Sequence, residues 1–130
     1  MRLFIGIELN QAVKSELGRS IERLKEAAIG NFSPAGNLHI TLQFLGEKKK
    51  EEIELIVKAM QKASSGFTAF SLYLDNPGKF DRGGESIVWY GVSGETERLN
   101  ELFKFLCSAL YENGVSFDKS AFKPQVFYFE

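Results

Sequence analysis

The chain has 130 residues, 44% of them hydrophobic and 25% charged, which is the composition of an ordinary globular domain with enough length to bury a core. A broad grip on a nucleic-acid backbone needs a basic face, and the formal net charge of −1 predicts none, so any RNA contact should be local, at an end or a single nucleotide. One cysteine and one histidine exclude an intrachain disulfide and a Cys/His zinc site, and no apolar run is long enough to span a membrane. These counts do not exclude a metal site of carboxylate oxygens, but the sequence shows no cluster with ligand spacing. We expect no metal, no cofactor and no membrane contact, and a reducing, cytoplasmic compartment.

The first half of the chain predicts a strand, a helix and a second strand. Residues 2–9 are rich in Ile, Leu and Phe, which is typical of a strand, and Asn10 suits the N-cap of an amphipathic helix over 11–28. Gly, Asn, Ser and Pro between residues 30 and 36 predict a loop. From 37 to 47 apolar and polar residues alternate, which predicts a strand with one apolar face. The apolar members are Leu38, Ile40, Leu42 and, less regularly, Phe44.

The second half of the chain adds further helices and strands. The patterns predict a helix over about 49–64, a strand over 67–74, a turn at Asp75-Asn76-Pro77-Gly78, a strand over 86–92, a helix over about 95–113 ended by Gly114, and a last strand over 126–129. Cys107 falls in the apolar pattern of the last helix and is predicted to be a small core residue.

Residues 2–45 and 86–129 have the same length and the same element order of strand, helix and strand. This similarity between the two segments suggests an internal repeat that forms two related lobes, although many α+β domains show such an order of elements by chance. We predict a single α+β domain of two βαβ-like lobes, one over about 1–80 and the other over about 81–130. Mostly antiparallel sheets would face a central cleft, with the helices on the outside.

The strand over 37–47 carries the candidate catalytic residues. His39 and Thr41 are two positions apart, so they stand side by side on the more polar face of this strand. An imidazole that titrates near neutrality beside a hydroxyl suits a phosphate, because the imidazole can move a proton while the hydroxyl holds a non-bridging oxygen. The alternative is an ordinary strand histidine whose ring is satisfied by a neighbour or by water.

The sequence around His39 resembles a family motif. Residues 34–47 read P-A-G-N-L-H-I-T-L-Q-F-L-G-E, which is similar to the first His-x-Thr motif of the LigT-like 2H phosphoesterases. These are RNA 2′,3′-cyclic phosphodiesterases that are often labelled 2′-5′ RNA ligases. The R-L-F-I opening and the V-W-Y-G-V strand extend the resemblance over the whole chain.

The second motif of that family departs from its pattern in this chain. The family form is F-x-P-H-x-T-L-x-R, and residues 122–130 read F-K-P-Q-V-F-Y-F-E. Gln125 stands where the second histidine belongs, Phe127 where the second threonine belongs, and Glu130 where a basic residue is common. The family continues for about one more helix and strand, so the resemblance implies a truncated or rewritten end. A frameshift over the last six residues is an alternative.

The resemblance implies a role for each matching residue. His39 would be the proton donor to the leaving 3′ oxygen and Thr41 a phosphate ligand, and the chemistry would need no metal. Gln125 occupies the proton-acceptor position, but an amide has no titratable proton and cannot act as a general base. Lys123, which shares a strand face with Gln125, could supply positive charge, and Phe44 could stack on a base, although a surface lysine and a core aromatic are the ordinary readings.

Three functions follow from these residues. The first is an RNA cyclic phosphodiesterase, a hydrolase, that is impaired because its second histidine is missing. The second is a module that binds RNA 3′ ends or cyclic nucleotides without cleaving them. The third is an interaction protein, since an unpaired sheet edge would invite a homodimer through an exposed strand.

Overall fold

The computed structural model describes residues 1–27, 39–82, 85–119 and 125–129, with side chains described except at 24–27, 76–82, 85–89 and 125–129. Its elements, in chain order, are β1 (Arg2–Glu8), α1 (Gln11–Ala27), β2 (His39–Glu47), a 3-10 helix (Lys50–Glu52) that leads into α2 (Ile53–Ser64), β3 (Leu72–Arg82), β4 (Glu85–Gly94), α3 (Thr96–Glu112) and β5 (Gln125–Phe129). β1 pairs with β2 in one sheet, and β3, β4 and β5 form another in that order. This mixture of helices and strands confirms the α+β class.

The pairings that can be followed are antiparallel. β4 and β5 run antiparallel, with Gly91 opposite Gln125 and Tyr90 opposite Val126. At the start of β1, Met1 and Lys48 exchange main-chain hydrogen bonds in both directions, at 3.0 and 2.7 Å, which is the pattern of an antiparallel pair. No helix in the described stretches is long and apolar enough to cross a bilayer.

The three predicted helices are confirmed. The helix over 11–28 is α1, and Asn10 caps it by accepting a hydrogen bond from the Val13 N–H at 2.9 Å. The helices over 49–64 and 95–113 are α2, with a 3-10 first turn, and α3. The predicted loop over 30–36 lies outside the described residues.

The predicted strand over 67–74 is confirmed only from Leu72 onward, and the predicted turn at 75–78 is wrong. β3 begins only at Leu72 and runs through the Asp-Asn-Pro-Gly sequence to Arg82. Among the described strands, β3 is at the edge of its sheet, and proline is tolerated in an edge strand because a missing N–H on the outer side removes no ladder bond. Phe67 leaves the strand pattern to pack edge-on against Phe105 of α3, and the Arg98 guanidinium lies 4.2 Å from its ring centre.

One compact unit consists of Met1–Gly6, Thr41–Tyr73 and Ser93–Lys123. In it α2 packs against α3, and the buried side chains of the two helices are Ile56, Ala59, Ala63, Leu99, Leu106, Ala109 and Leu110. An ion pair between Lys62 and Glu112 joins the same two helices at the surface. The buried leucines of α3 follow the predicted helical spacing. In α2 the predicted apolar stripe is only partly correct, because Ile53, Val57 and Met60 are exposed.

The other compact unit consists of Ile7–Ile40, Leu74–Val92 and Pro124–Glu130. Its described core includes Leu17 and Ile21 of α1, Ile40 of β2 and Tyr90 of β4. The buried Tyr90 hydroxyl is hydrogen-bonded to the Ser20 hydroxyl, which fastens α1 to β4. The division of the chain into lobes at about residue 80 stays a prediction.

The end of α3 is fixed by Gly114. The Gly114 N–H donates to the Tyr111 carbonyl and the Val115 N–H to the Leu110 carbonyl, which is the bonding of a Schellman motif. Gly114 has φ +72°, and Val115 and Leu110 are both buried, as the hydrophobic contact of this motif requires. The chain therefore leaves α3 in a defined direction.

Two glycines with positive φ should respond differently to alanine. A Cβ at Gly114 would meet nothing within 4 Å, whereas a Cβ at Gly94 (φ +98°) would lie 2.8 Å from the Ser71 carbonyl oxygen. We expect Gly114→Ala to lower the free energy of unfolding by about 1–2 kcal/mol, the cost of a left-handed alanine. Gly94→Ala should lower it further because the backbone must also move. Urea denaturation measures both, and equal losses would contradict the close approach at Gly94.

Candidate active site

The first four residues of β2 follow the predicted alternation. Ile40 and Leu42 are buried, while His39 and Thr41 are half-buried between them. Residues two apart on a strand share a face and lie about 6.6 Å apart along it, so one phosphate group can span both side chains. His39 and Thr41 therefore remain candidates for the proton donor and the phosphate ligand.

The alternation of β2 changes phase at Gln43, which corrects the predicted faces of two residues. Gln43 was expected on the polar face and is 5% exposed, whereas Phe44, expected with the apolar residues, is 58% exposed. Gln43 is buried because both ends of its amide are bonded: Oε1 accepts from the Phe44 N–H at 3.1 Å and Nε2 donates to the Cys107 sulfur at 3.4 Å. The alternation of apolar and polar residues in the sequence gave no signal that Gln43 is buried and hydrogen-bonded at both ends of its amide.

Gln43, Phe44 and Lys48 connect the second half of β2 to α3 and to the segment after it. Cys107, expected in the core, is half-buried on α3, and desolvation raises the pKa of its thiol, while the hydrogen bond from Gln43 opposes that rise. The Phe44 carbonyl accepts from the Asp118 N–H at 3.1 Å. Further along, the buried Lys48 ammonium donates to the Ser116 hydroxyl at 2.9 Å. The second half of β2 is thereby attached to α3 and to residues 115–118.

The backbone register places position 125 beside a glycine. Gly91, which has no side chain, is directly opposite Gln125 in this register. The neighbouring pair, Tyr90 and Val126, is on the alternate face of the sheet, the face that Tyr90 presents to Ser20 of α1. Lys123 lies outside the described residues, as do Phe122, Pro124 and Glu130, and the roles of Lys123 and Gln125 stay predictions.

Gln43 should be a structural requirement of β2. Gln43→Met keeps the volume but leaves the Phe44 N–H without its acceptor, so we expect a loss of about 1–3 kcal/mol in the free energy of unfolding. Cys107→Ala removes only the weaker of the two bonds and should cost clearly less, which makes it the matched control. Urea denaturation of both variants tests this, and a Gln43→Met loss no larger than that of Cys107→Ala would contradict it.

Comparison with known proteins links this fold to one family. A family model described as LigT like Phosphoesterase matches residues 7–89. The RNA 2′,3′-cyclic phosphodiesterase of Thermotoga maritima is 34% identical over 128 residues, covering 97% of this chain and 67% of that protein. The enzyme of the same name from Escherichia coli is 32% identical over 128 residues, covering 96% and 69%. The chain thus spans about two thirds of the length of these relatives.

Solved structures agree with these sequence relatives. The crystal structure of Escherichia coli LigT complexed with 3′-AMP matches with a TM-score of 0.71 and 26% identity, covering 99% of this chain and 70% of that one. The apo form of the same protein matches with a TM-score of 0.77 and 24% identity, covering 99% and 71%. Both comparisons extend over nearly the whole chain, including the parts that the family model does not match.

Proposed function

Because the chain belongs to the LigT-like phosphoesterase family, we propose that it binds RNA 3′ ends that carry a 2′,3′-cyclic phosphate and hydrolyses them slowly or not at all. The observation that carries this proposal is the pair of half-buried residues His39 and Thr41, two apart at the start of β2, in a chain that retains the first family motif. The names of the relatives, RNA 2′,3′-cyclic phosphodiesterase, support the substrate class.

In the proposed reaction, water attacks phosphorus and the bond from phosphorus to the 3′ oxygen breaks. His39 gives its proton to the leaving 3′ oxygen, and the Thr41 hydroxyl donates to a non-bridging oxygen. The products are a 2′-phosphate and a 3′ hydroxyl. These steps require a second group to take the proton of the attacking water, and the side chains alone carry the proton transfers, without a metal.

The second proton-transfer group is the one that this chain lacks. Gln125 occupies the corresponding position in β5, and its amide can hydrogen-bond a phosphate but cannot accept a proton from water near neutral pH. Losing one such group typically lowers the rate by about 10²–10⁴. Phe127, two residues further on, replaces a hydroxyl with a ring. We therefore expect the chain to retain binding of the cyclic phosphate to a greater extent than its hydrolysis.

Phe44 supports a contact beyond the terminal nucleotide. Its ring is exposed, as base stacking requires. It lies five residues from His39, which is about 16 Å along an extended strand. A base that stacks on Phe44 would therefore belong to a nucleotide near the one whose phosphate meets His39, rather than to the same one. Lys123 is proposed to add positive charge beside Gln125, and the cytoplasmic location stays a prediction.

Restoring the second motif tests the catalytic part of the proposal. We expect the unaltered chain to hydrolyse an RNA ending in a 2′,3′-cyclic phosphate far more slowly than LigT of Escherichia coli. The double variant Gln125→His/Phe127→Thr should gain about 10²–10⁴ in rate, because it regains the base and a hydroxyl. The conservative variant Gln125→Asn should gain nothing, and adding His39→Ala to the double variant should remove the gain.

Two outcomes would contradict the catalytic proposal. The claim of impairment is wrong if the unaltered chain matches the Escherichia coli enzyme and loses that activity on His39→Ala. The assignment of position 125 is wrong if the double variant stays folded, by circular dichroism, and gains no activity.

Binding is tested separately from turnover. A fluorescent RNA ending in a 2′,3′-cyclic phosphate should bind more tightly than the same RNA ending in a 3′ hydroxyl. Thr41→Val keeps the shape of the side chain and removes its hydroxyl, so it should weaken binding of the cyclic end about 2- to 10-fold, the value of one hydrogen bond. It should leave binding of the hydroxyl end unchanged. Equal binding of the two RNAs would argue against a phosphate site at Thr41.

A further inference from the structure

The strand β1 has one edge on which no described strand pairs. Its only neighbour among the described strands is β2. Met1 makes both of its main-chain hydrogen bonds with Lys48. Along a strand, the N–H and C=O groups of successive residues point alternately to one edge and to the other. Odd-numbered residues of β1 therefore point these groups toward β2, and even-numbered residues point them toward the outer edge. In β2 this alternation shifts between Lys48 and Phe44, where Gly46 has φ +73°, because the Phe44 carbonyl at the outer edge accepts from the Asp118 N–H. In β1 the regular alternation of exposed and buried residues shows no such shift.

The sequence of β1 is complementary to itself. It reads R-L-F-I-G-I-E over Arg2–Glu8, with Ile5 at its centre. If a second β1 runs antiparallel with Ile5 on the twofold axis, Arg2 of each copy lies opposite Glu8 of the other. Leu3 then lies opposite Ile7, and Phe4 opposite Gly6. Opposite charges and apolar pairs at directly facing positions are the pairs that stabilise antiparallel strands.

This register also agrees with the main chain and with burial. All its hydrogen-bonded pairs join even-numbered residues, which are the ones that point to the outer edge. Shifting the axis by one residue in either direction leaves the charges of Arg2 and Glu8 without facing partners. The faces match as well, because Ile5 is buried and Leu3 and Ile7 are half-buried, whereas the even-numbered residues are exposed.

We propose that two copies of this chain associate through β1 in this register, so that the two sheets join into one four-stranded antiparallel sheet. An isologous contact around a twofold axis is the commonest arrangement of two identical chains. The proposal concerns a surface of β1 and does not rest on the proposed hydrolysis.

The charges of the strand permit this pairing. Arg2 forms no ion pair with another described residue, and a facing carboxylate would give it one. Glu8 contacts Lys14 at 3.1 Å, but its side chain is 84% exposed, so its second oxygen is accessible to a partner. The net charge of −1 per copy adds little repulsion between two molecules.

An open apolar groove beside Ile5 supports the same partner. The groove has a volume of about 350 Å³, and its walls come from β1, β2, α2 and α3. Among its lining residues are Ile5, Gly6, Leu42, Val57, Met60 and Leu106. Val57 and Met60 are 43% and 39% exposed on their helix. With Ile5 on the twofold axis, the second copy approaches the groove beside that residue and covers apolar surface that water now meets.

Charge reversal distinguishes this interface from any other. In sedimentation experiments, the unaltered chain should approach twice the monomer mass of 14.6 kDa as its concentration rises. Arg2→Glu and Glu8→Arg each place like charges at both ends of the strand pair, so each should raise the dissociation constant about tenfold or more. An equal mixture of the two variants restores opposite charges at both ends and should form heterodimers with the original affinity.

The control is Lys104→Glu, which makes the same charge change on an exposed position of α3 and should leave the dimer unchanged. Formation of heterodimers in the mixture shows that both variants fold. If a single variant unfolds by circular dichroism, Arg2→Gln and Glu8→Gln replace the pair, and each should weaken the dimer by a smaller factor. The proposal is overturned if the unaltered chain is a monomer at every concentration, if both single reversals still dimerise normally, or if the mixture of folded variants stays monomeric.

Discussion

The buried amide of Gln43 is the constraint on which the second half of β2 depends. It accepts from the N–H of the next residue and donates to the Cys107 sulfur, so both of its polar ends are satisfied inside the protein. Before it, Ile40 and Leu42 are the buried residues; after it, Leu45 is buried and Phe44 faces outward. A strand whose own side chain bonds its backbone can change the phase of its alternation without leaving a buried polar group unpaired.

This attachment matters for function because the candidate site is at the start of the same strand. Lys48, at the other end of β2, is held through its ammonium by Ser116 and through its main chain by Met1. The Schellman motif at Gly114 sets the direction in which residues 115–118 leave α3 and so allows these contacts. Functional groups placed on a strand keep their relative positions better than groups on a loop.

The proposed reaction needs two proton-transfer groups, and the sequence contains one histidine. An amide at the second position retains hydrogen bonding and loses acid–base function, so ground-state binding and transition-state stabilisation are affected unequally. Under the proposed function, the chain would recognise the cyclic phosphate of an RNA end and hydrolyse it slowly or not at all. Its nearly neutral net charge fits recognition of a single end better than recognition of a long backbone.

The amino-acid sequence alone determined the three helices, the strand that carries His39 and Thr41, the cap residues Asn10 and Gly114, and the family. These features depend on periodicity and on local backbone preferences, which are written into neighbouring residues. It could not show that Gln43 is buried, that Phe44 is exposed, or that β3 runs through Pro77. In β2 these outcomes depend on Cys107 and Asp118, which are distant in the chain, and in β3 they depend on its edge position among the described strands. The reason is that the tertiary contacts of a residue, rather than its type, fix which of its possible hydrogen bonds it makes.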